Sequence, residues 1–320
     1  MNKKIGYVIV LAALLAAPFW LYPVFLMKVL CFALFACAFN LLIGFTGLLS
    51  FGHAAFFGGA GYVAGYAMAT LGLPPEVGIL LGTLAGALIG LFMGSFAIRR
   101  QGIYFTMITL ALAQMLYFVF LQAKFTGGED GLQGVPRGKL LGFIDLSNDL
   151  TLYYVVMLIA VGGFAVIMRV VHSHFGQVLK AIKENEPRAI SLGYDVDRYK
   201  LLAFVLSAGL SGLAGATKTL VLGFETLTDV HWSMSGLVVL MTLVGGLGTL
   251  SGPIVGAVII IALENKLGSY GTWLANFTSI EWFRTIGQSV TIVIGLIFII
   301  CVLAFRRGIV GELAARFKRH

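Results

Sequence analysis

Val77-Gly-Ile-Leu-Leu-Gly-Thr-Leu-Ala-Gly-Ala-Leu-Ile-Gly-Leu-Phe-Met-Gly-Ser-Phe-Ala-Ile98 contains no charged residue. As a helix it would be about 33 Å long, enough to cross a hydrocarbon core of about 30 Å. Gly78, Gly82, Gly86, Gly90 and Gly94 recur at every fourth position. They therefore share one helical face, against which a second backbone can lie closely in lipid. Glu76 precedes the stretch and Arg99-Arg100 follows it. The segment reads as a membrane-spanning helix packed through small residues.

The rest of the chain follows the same plan. Of its 320 residues 59% are hydrophobic and 11% charged, and the mean hydropathy is +0.97. Soluble domains carry about 25% charged residues, and no soluble fold of this length could bury so much apolar surface. The net charge of +8 does not point to nucleic acid, because the basic residues sit in short breaks between apolar runs. That distribution belongs to membrane topology. Cys31, Cys37 and Cys301 all lie within apolar runs, read as small packing residues, and form no metal-binding or disulfide pattern. The apolar run after Lys3 and Lys4 continues past Pro18 to Met27, too long for a cleaved leader, and reads as a retained helix.

Windows free or nearly free of charge give ten candidate spans: Ile5–Met27, Val29–Gly47, His53–Leu71, Val77–Ile98, Gly102–Ala123, Leu150–Met168, Leu201–Leu222, Ser233–Thr249, Pro253–Leu267 and Thr285–Phe305. The third, eighth and ninth are short and glycine-rich; re-entrant or broken helices there would leave eight full spans. With the N-terminus inside, most Lys and Arg fall on the cytoplasmic side and most Asp and Glu outside, Glu225 and Asp229 among them. The expected fold is an all-α polytopic bundle of about ten spans with both termini cytoplasmic. Residues 1–320 form one membrane domain with an outer loop at 124–149 and a cytoplasmic loop at 172–200.

Gly44-x-x-Gly47-x-Leu49-Ser50 recurs as Gly245-x-x-Gly248-x-Leu250-Ser251. Both copies fall at a cytoplasmic-side junction between a descending and an ascending span. Such an echo is either a parallel repeat, with a pathway between the halves, or a pair of tight turns that need glycine. Gly47, Ser50, Gly52, His53, Gly248 and Ser251 are the candidate pathway residues. His53 alone reads equally as a packing histidine hydrogen-bonded to a neighbour. Thr106, Thr109 and Gln114 mark another polar face, on the Gly102–Ala123 span.

The chemistry of an enzyme is missing. There is no phosphate-binding G-x-x-x-x-G-K-[ST] loop, no HExxH and no GxSxG, and no motif calls for a cofactor or a metal. Charges inside the spans reduce to Lys218 and Glu264, the latter expected to snorkel or to pair. An ion-coupled porter is thereby disfavoured, and energy should come from a partner. In the inner loop, Val178, Leu179 and Ile182 form an apolar stripe. A short second helix should follow, with Asn185 or Glu186 capping it, Pro187 in its first turn and Gly193 at its end. Such a unit could press into another protein or lie on the membrane surface.

Four stretches together resemble the LivM-type permease subunits of branched-chain amino-acid ABC importers. They are Asn40-Leu-Leu-Ile-Gly-Phe-Thr-Gly-Leu-Leu-Ser-Phe-Gly-His53, Thr126-Gly-Gly-Glu-Asp-Gly131, the loop from His174 to Asp195, and Leu243-Val-Gly-Gly-Leu-Gly-Thr-Leu-Ser-Gly-Pro253. The resemblance covers nearly the whole chain. It implies a pore subunit in a bacterial inner membrane, working with a second related permease, two cytosolic ATPases and a periplasmic substrate-binding protein. It also implies that Glu184, Glu186, Pro187, Arg188, Ala189 and Gly193 lie in the ATPase-coupling region. Importer permeases often carry Glu-Ala-Ala with glycine four residues later. Ala189 and Gly193 keep the last spacing here, while Pro187 and Arg188 replace the residues before. Related permeases leave urea, short amides and aromatic acids open as cargo, and a channel independent of nucleotide is the competing class.

Overall fold

The computed structural model describes residues 12–278, 295, 296, 299 and 308–317. Its principal helices are α1 (Pro23–Thr46), α2 (His53–Ala69), α3 (Pro75–Ala97), α4 (Ile103–Gln122), α5 (Asp149–His172), α6 (His174–Glu184), α7 (Glu186–Ser191), α8 (Val196–Leu222), α9 (Trp232–Gly245), α10 (Gly252–Thr278) and α11 (Gly308–Phe317). Five of them, α1, α3, α4, α5 and α8, are long and apolar enough to cross a membrane. The Thr285–Phe305 window lies almost entirely outside the described residues, and Lys3, Lys4 and Cys301 lie outside them altogether.

Helix starts follow local chemistry. α1 and α3 each open with proline in the first turn after an extended residue, where a missing N–H costs nothing. Asn148 caps α5 through the Leu150 amide at 2.9 Å, and Asp195 caps α8 through the Arg198 amide at 3.3 Å. α8 lies against α1, α2 and α3. The glycine ridge of α3 meets it directly: a Cβ on Gly86 would stand 3.0 Å from the Gly212 Cα. α9 and α10 form a close hairpin packed on α1, and α5 packs on the same helix. Cys31 and Cys37 are buried free thiols in the packing around α1.

Several window boundaries are corrected. Lys28 separates two windows, yet α1 runs straight through it. The chain breaks earlier, at the 3-10 turn Ala17–Phe19 and at Pro23. Lys28 is accommodated because its Nζ lies 3.3 Å from the Glu264 carboxylate. α8 begins at Val196, not Leu201, because buried Lys200 pairs with Glu186. α9 stops at Gly245, and α10 continues through Glu264 and Lys266 to Thr278. The 124–149 loop carries short 3-10 turns and a two-stranded hairpin, Lys139–Leu140 with Ile144–Asp145.

α2 and α9 have 17 and 14 residues, about 25 and 21 Å, each short of the hydrocarbon thickness. Both begin inside the bundle. The His53 ring at the start of α2 is 4.9 Å from the Phe39 ring, while α1 continues about 10 Å beyond Phe39 to Thr46. Residues 47–52 must therefore climb back along α1. The segment after α8 also turns inward. Glu225 lies against Gly61 and Asp229 against Gly58, where Cβ atoms would meet them at 2.6 and 2.7 Å. Gly61 is about 12 Å along α2 from its C-terminal end at Ala69. Glu225 and Asp229, expected in an outer segment, thus lie buried between helices. Polar contacts within the bundle favour this return, and the two glycines make room for it.

Candidate functional site

The 47–52 segment is non-helical backbone, whose amides and carbonyls need partners away from water. Hydroxyls supply them. Thr109 Oγ1 accepts from the Phe51 amide at 3.3 Å, and Thr106 Oγ1 donates to the Leu49 carbonyl at 2.9 Å. Ser50 Oγ accepts from the Gly52 amide at 3.1 Å. Ser235, in the first turn of α9, donates to the Phe51 carbonyl and accepts from the Ala54 amide, both at 2.8 Å. Ser50 and Gly52 are buried, while Gly47 is exposed next to Lys183.

His53 is wholly buried, and its Nε2 is 2.8 Å from Ser207 Oγ. The Ser207 hydroxyl donates its single proton to the Ala38 carbonyl at 2.6 Å. His53 must therefore donate from Nε2, which leaves Nδ1 as the unprotonated nitrogen of a neutral ring. Phe39, Phe56 and Phe204 present edges around it. The histidine links α1, α2 and α8.

The two glycine motifs that echo in sequence meet in space. Asn40 donates from Nδ2 to the Thr249 carbonyl at 2.8 Å and accepts at Oδ1 from the Gly248 amide at 3.0 Å. A Cβ on Gly44 would stand 2.9 Å from the Gly248 nitrogen. Ser251 is exposed beyond this contact. Asn40 was available to sequence reasoning as the single amide in an otherwise apolar span; its partners were not.

The 172–200 loop is built onto the C-terminal end of α1. Lys183 of α6 donates to the Gly44 carbonyl at 2.7 Å, and Lys180 lies over the Phe45 ring at 5.8 Å. Asn185 caps α7 by accepting from the Arg188 amide at 3.1 Å, Pro187 sits in its first turn, and Gly193 ends the unit with φ +87°. Glu186 accepts from Lys200 at 2.6 Å and from Gln101 at 2.8 Å. Ala189 is buried with Ile182 and Val196 in a small core of its own. Glu184, Pro187, Arg188 and Gly193 are exposed. Ile190, Leu192 and Tyr194, absent from the sequence-based set, project outward at 57, 69 and 40% exposure. Loop periodicity alone did not separate the inward Ala189 from its outward neighbours.

A charged cluster lies deeper. Lys218 Nζ is 2.5 Å from Asp229 Oδ2 and 3.2 Å from Glu225 Oε2, with all three residues buried. Asp229 Oδ2 also accepts from the Thr226 hydroxyl at 2.7 Å, and Glu225 Oε2 from Thr219 at 2.5 Å. Glu225 joins the 124–149 loop through an antiparallel bridge to Leu132, its two bonds both 2.9 Å. This cluster corrects the expectation of a bundle almost free of internal charge.

The model of the family described as "Branched-chain amino acid transport system / permease component" matches residues 23–303. The chain belongs to this permease family. Its multi-pass helical character follows from that membership together with the five long apolar helices. The permease is 25% identical over 257 residues to the high-affinity branched-chain amino acid transport system permease protein LivM of Salmonella typhimurium. The same figures hold for LivM of Escherichia coli. These alignments cover 73% of the permease and 60% of either relative, so it spans about three-fifths of the length of those proteins. A fructose import permease protein, FruG of Bifidobacterium longum, is 24% identical over 264 residues, covering 76% of the permease and 71% of FruG. No solved structure matches.

Proposed function

We propose that this permease is a pore subunit of an ATP-binding-cassette importer that moves branched-chain or other hydrophobic amino acids into the cell. The observation that carries the reading is the seating of α6 and α7. Lys183 ties them to the inner end of α1 beside the 47–52 segment, while Ile190, Leu192 and Tyr194 stay outward. A small rigid unit with an apolar outer face fits a groove on another protein. Its motion would reach the non-helical segment through one hydrogen bond. Family membership and the two LivM relatives support the cargo class.

In this reading the protein lies in a bacterial inner membrane, in contact with lipid. It crosses about ten times as one domain, with both termini cytoplasmic, the 124–149 loop outside and the 172–200 loop inside. Its partners are a second related permease, two cytosolic ATPases and a periplasmic substrate-binding protein. Glu184, Glu186, Pro187, Arg188, Ala189 and Gly193 belong to the coupling unit. Within it Glu186 and Ala189 hold the fold and the exposed residues make contact. Gly47, Ser50, Gly52, His53, Gly248 and Ser251 form the moving junctions beside the path.

The test is reconstitution of the permease with its partner permease, ATPases and binding protein in proteoliposomes. ATP-dependent uptake of leucine is expected. Ile190→Asp with Leu192→Asp should abolish it and release the ATPases while the permease stays folded. Equal uptake without ATPases would replace the importer by a facilitator. ATP-dependent uptake of fructose or urea in place of leucine would keep the importer and change its cargo.

A further inference from the structure

The Lys218 cluster holds one basic and two acidic side chains, a net charge of −1 if all are ionised. All three are buried, Glu225 completely. Glu225 and Asp229 sit alongside the interior part of α2, not on the bundle's outer rim. An excess charge in such a place costs several kcal/mol unless it is neutralised.

The hydrogen bonds distinguish the two acids. Asp229 Oδ2 accepts from Lys218, from the Thr226 hydroxyl and from the Thr226 amide at 3.3 Å. Three donors on one oxygen are the surroundings of an ionised carboxylate. Glu225 is served on Oε2 alone, by Thr219 and Lys218. Its Oε1 is buried without a partner, and so is the hydroxyl of Tyr62, the residue after Gly61 on α2. Leaving one oxygen of a buried ionised carboxylate bare is costly. A proton on that oxygen removes the excess charge, exchanges a bare buried anion for a neutral group whose lack of a partner costs less, and needs no cavity, which matters where Gly61 presses so closely on the carboxyl group.

We propose that Glu225 is a proton-binding site: the cluster consists of a Lys218–Asp229 ion pair beside a neutral, protonated Glu225. The groups facing it are Lys218 and Thr219 of α8, Tyr62 of α2, and Thr226 and Asp229 of its own segment. Tyr117 of α4 lies within electrostatic reach of Tyr62, and Cys31 of α1 within reach of Lys218. None of these adds a second cation, so loss of the proton leaves the cluster negative.

The backbone of the same residue carries the bridge to Leu132 of the outer loop. Deprotonation therefore loosens the attachment of the outer loop to the bundle interior. The sign follows from proton linkage. The closed form binds one more proton than the open one, so stability is lost as pH rises and kept as pH falls toward the ordinary glutamate range.

The experiment uses the full-length protein in lipid nanodiscs, with protons as the titrant. Infrared spectra at neutral pH should show a protonated-carboxyl band that shifts with isotope-labelled glutamate and disappears in Glu225→Gln. Hydrogen exchange at the Leu132 and Glu225 amides gives a second measure. After correction for base-catalysed exchange, the opening constant should rise about tenfold per pH unit wherever only the closed form keeps the proton. In Glu225→Gln it should be flat. Glu225→Gln should fold as well as wild type, and Asp229→Asn should not. The proposal is overturned by an ionised-carboxylate signal for Glu225, by equal pH dependence in wild type and Glu225→Gln, or by a fold that tolerates Asp229→Asn and not Glu225→Gln.

Discussion

Among the described residues, two connecting segments that turn back into this bundle are satisfied by opposite means. Residues 47–52 are held by neutral groups: Thr106, Thr109, Ser50 and Ser235. The segment from Gly223 to His231 is held by charge, with Lys218 gripping Glu225 and Asp229. Neutral hydrogen bonds are each worth about 1 kcal/mol net and can be exchanged for one another at little cost. A buried ion pair is expensive to break, because the remaining charge has nowhere to go. The first arrangement suits a part that moves between states, and the second suits an anchor.

Lys218→Met is the most severe way to break that contrast. It strands Asp229 as an unpaired buried carboxylate, and losses of this kind run to about 3–5 kcal/mol. Little folded protein is expected after solubilisation, with a steep drop in the melting temperature of what survives. A melting temperature close to wild type would mean that the cluster is not an anchor. Asn40→Leu attacks the neutral side. It orphans the Gly248 amide and the Thr249 carbonyl, at roughly 1–3 kcal/mol for each group left unsatisfied. The variant should fold with a lower melting temperature and lose contact between the glycine motifs, measured by cross-linking of cysteines placed on either side. A loss as large as that of Lys218→Met would show that a neutral contact elsewhere in the bundle can anchor as strongly as the buried ion pair.

What the sequence made legible follows the same division. The five long apolar helices could be read because hydrophobic length is a local property, and the α6–α7 unit because Asn185, Pro187 and Gly193 are local signals. Charge was misleading wherever its partner was remote in sequence. Lys28 looked like the end of a span until Glu264 was seen beside it. Glu225 and Asp229 looked like outer-loop acids because nothing near them predicts a return along α2. The hydroxyls that satisfy residues 47–52 come from α4 and α9. Their identities were visible, and their destination required the fold.

Gly193→Val tests coupling with a smaller effect. Its φ of +87° is costly for a β-branched side chain, on the order of 1–2 kcal/mol. No atom crowds the position, so the penalty is backbone strain at the end of α7. The permease should remain folded, while nucleotide hydrolysis by the assembled importer loses its stimulation by cargo. Full stimulation would show that α7 can be distorted without disconnecting the 47–52 segment, and the mobile role of that segment would need another input.

The smallest perturbation is a single cysteine, and the two positions must be read differently. Ser251 is exposed, so Ser251→Cys should react with a small water-soluble thiol reagent whatever the nucleotide state. Constant labelling there says only that the residue faces outward. Ser50 is wholly buried, and its hydroxyl holds the Gly52 amide. Ser50→Cys keeps the volume nearly unchanged and weakens one neutral hydrogen bond, a cost of about 1 kcal/mol. With Ser50 buried as it is in this structure, the cysteine should stay unlabelled. If residues 47–52 move during transport, labelling should appear when the assembled importer turns over ATP and stop when the ATPases are removed. Protection under every condition would make the segment as fixed as the 223–231 segment. Moving parts would then have to be sought along the Thr106, Thr109 and Gln114 face of α4, where the Gln114 amide nitrogen is buried without a partner.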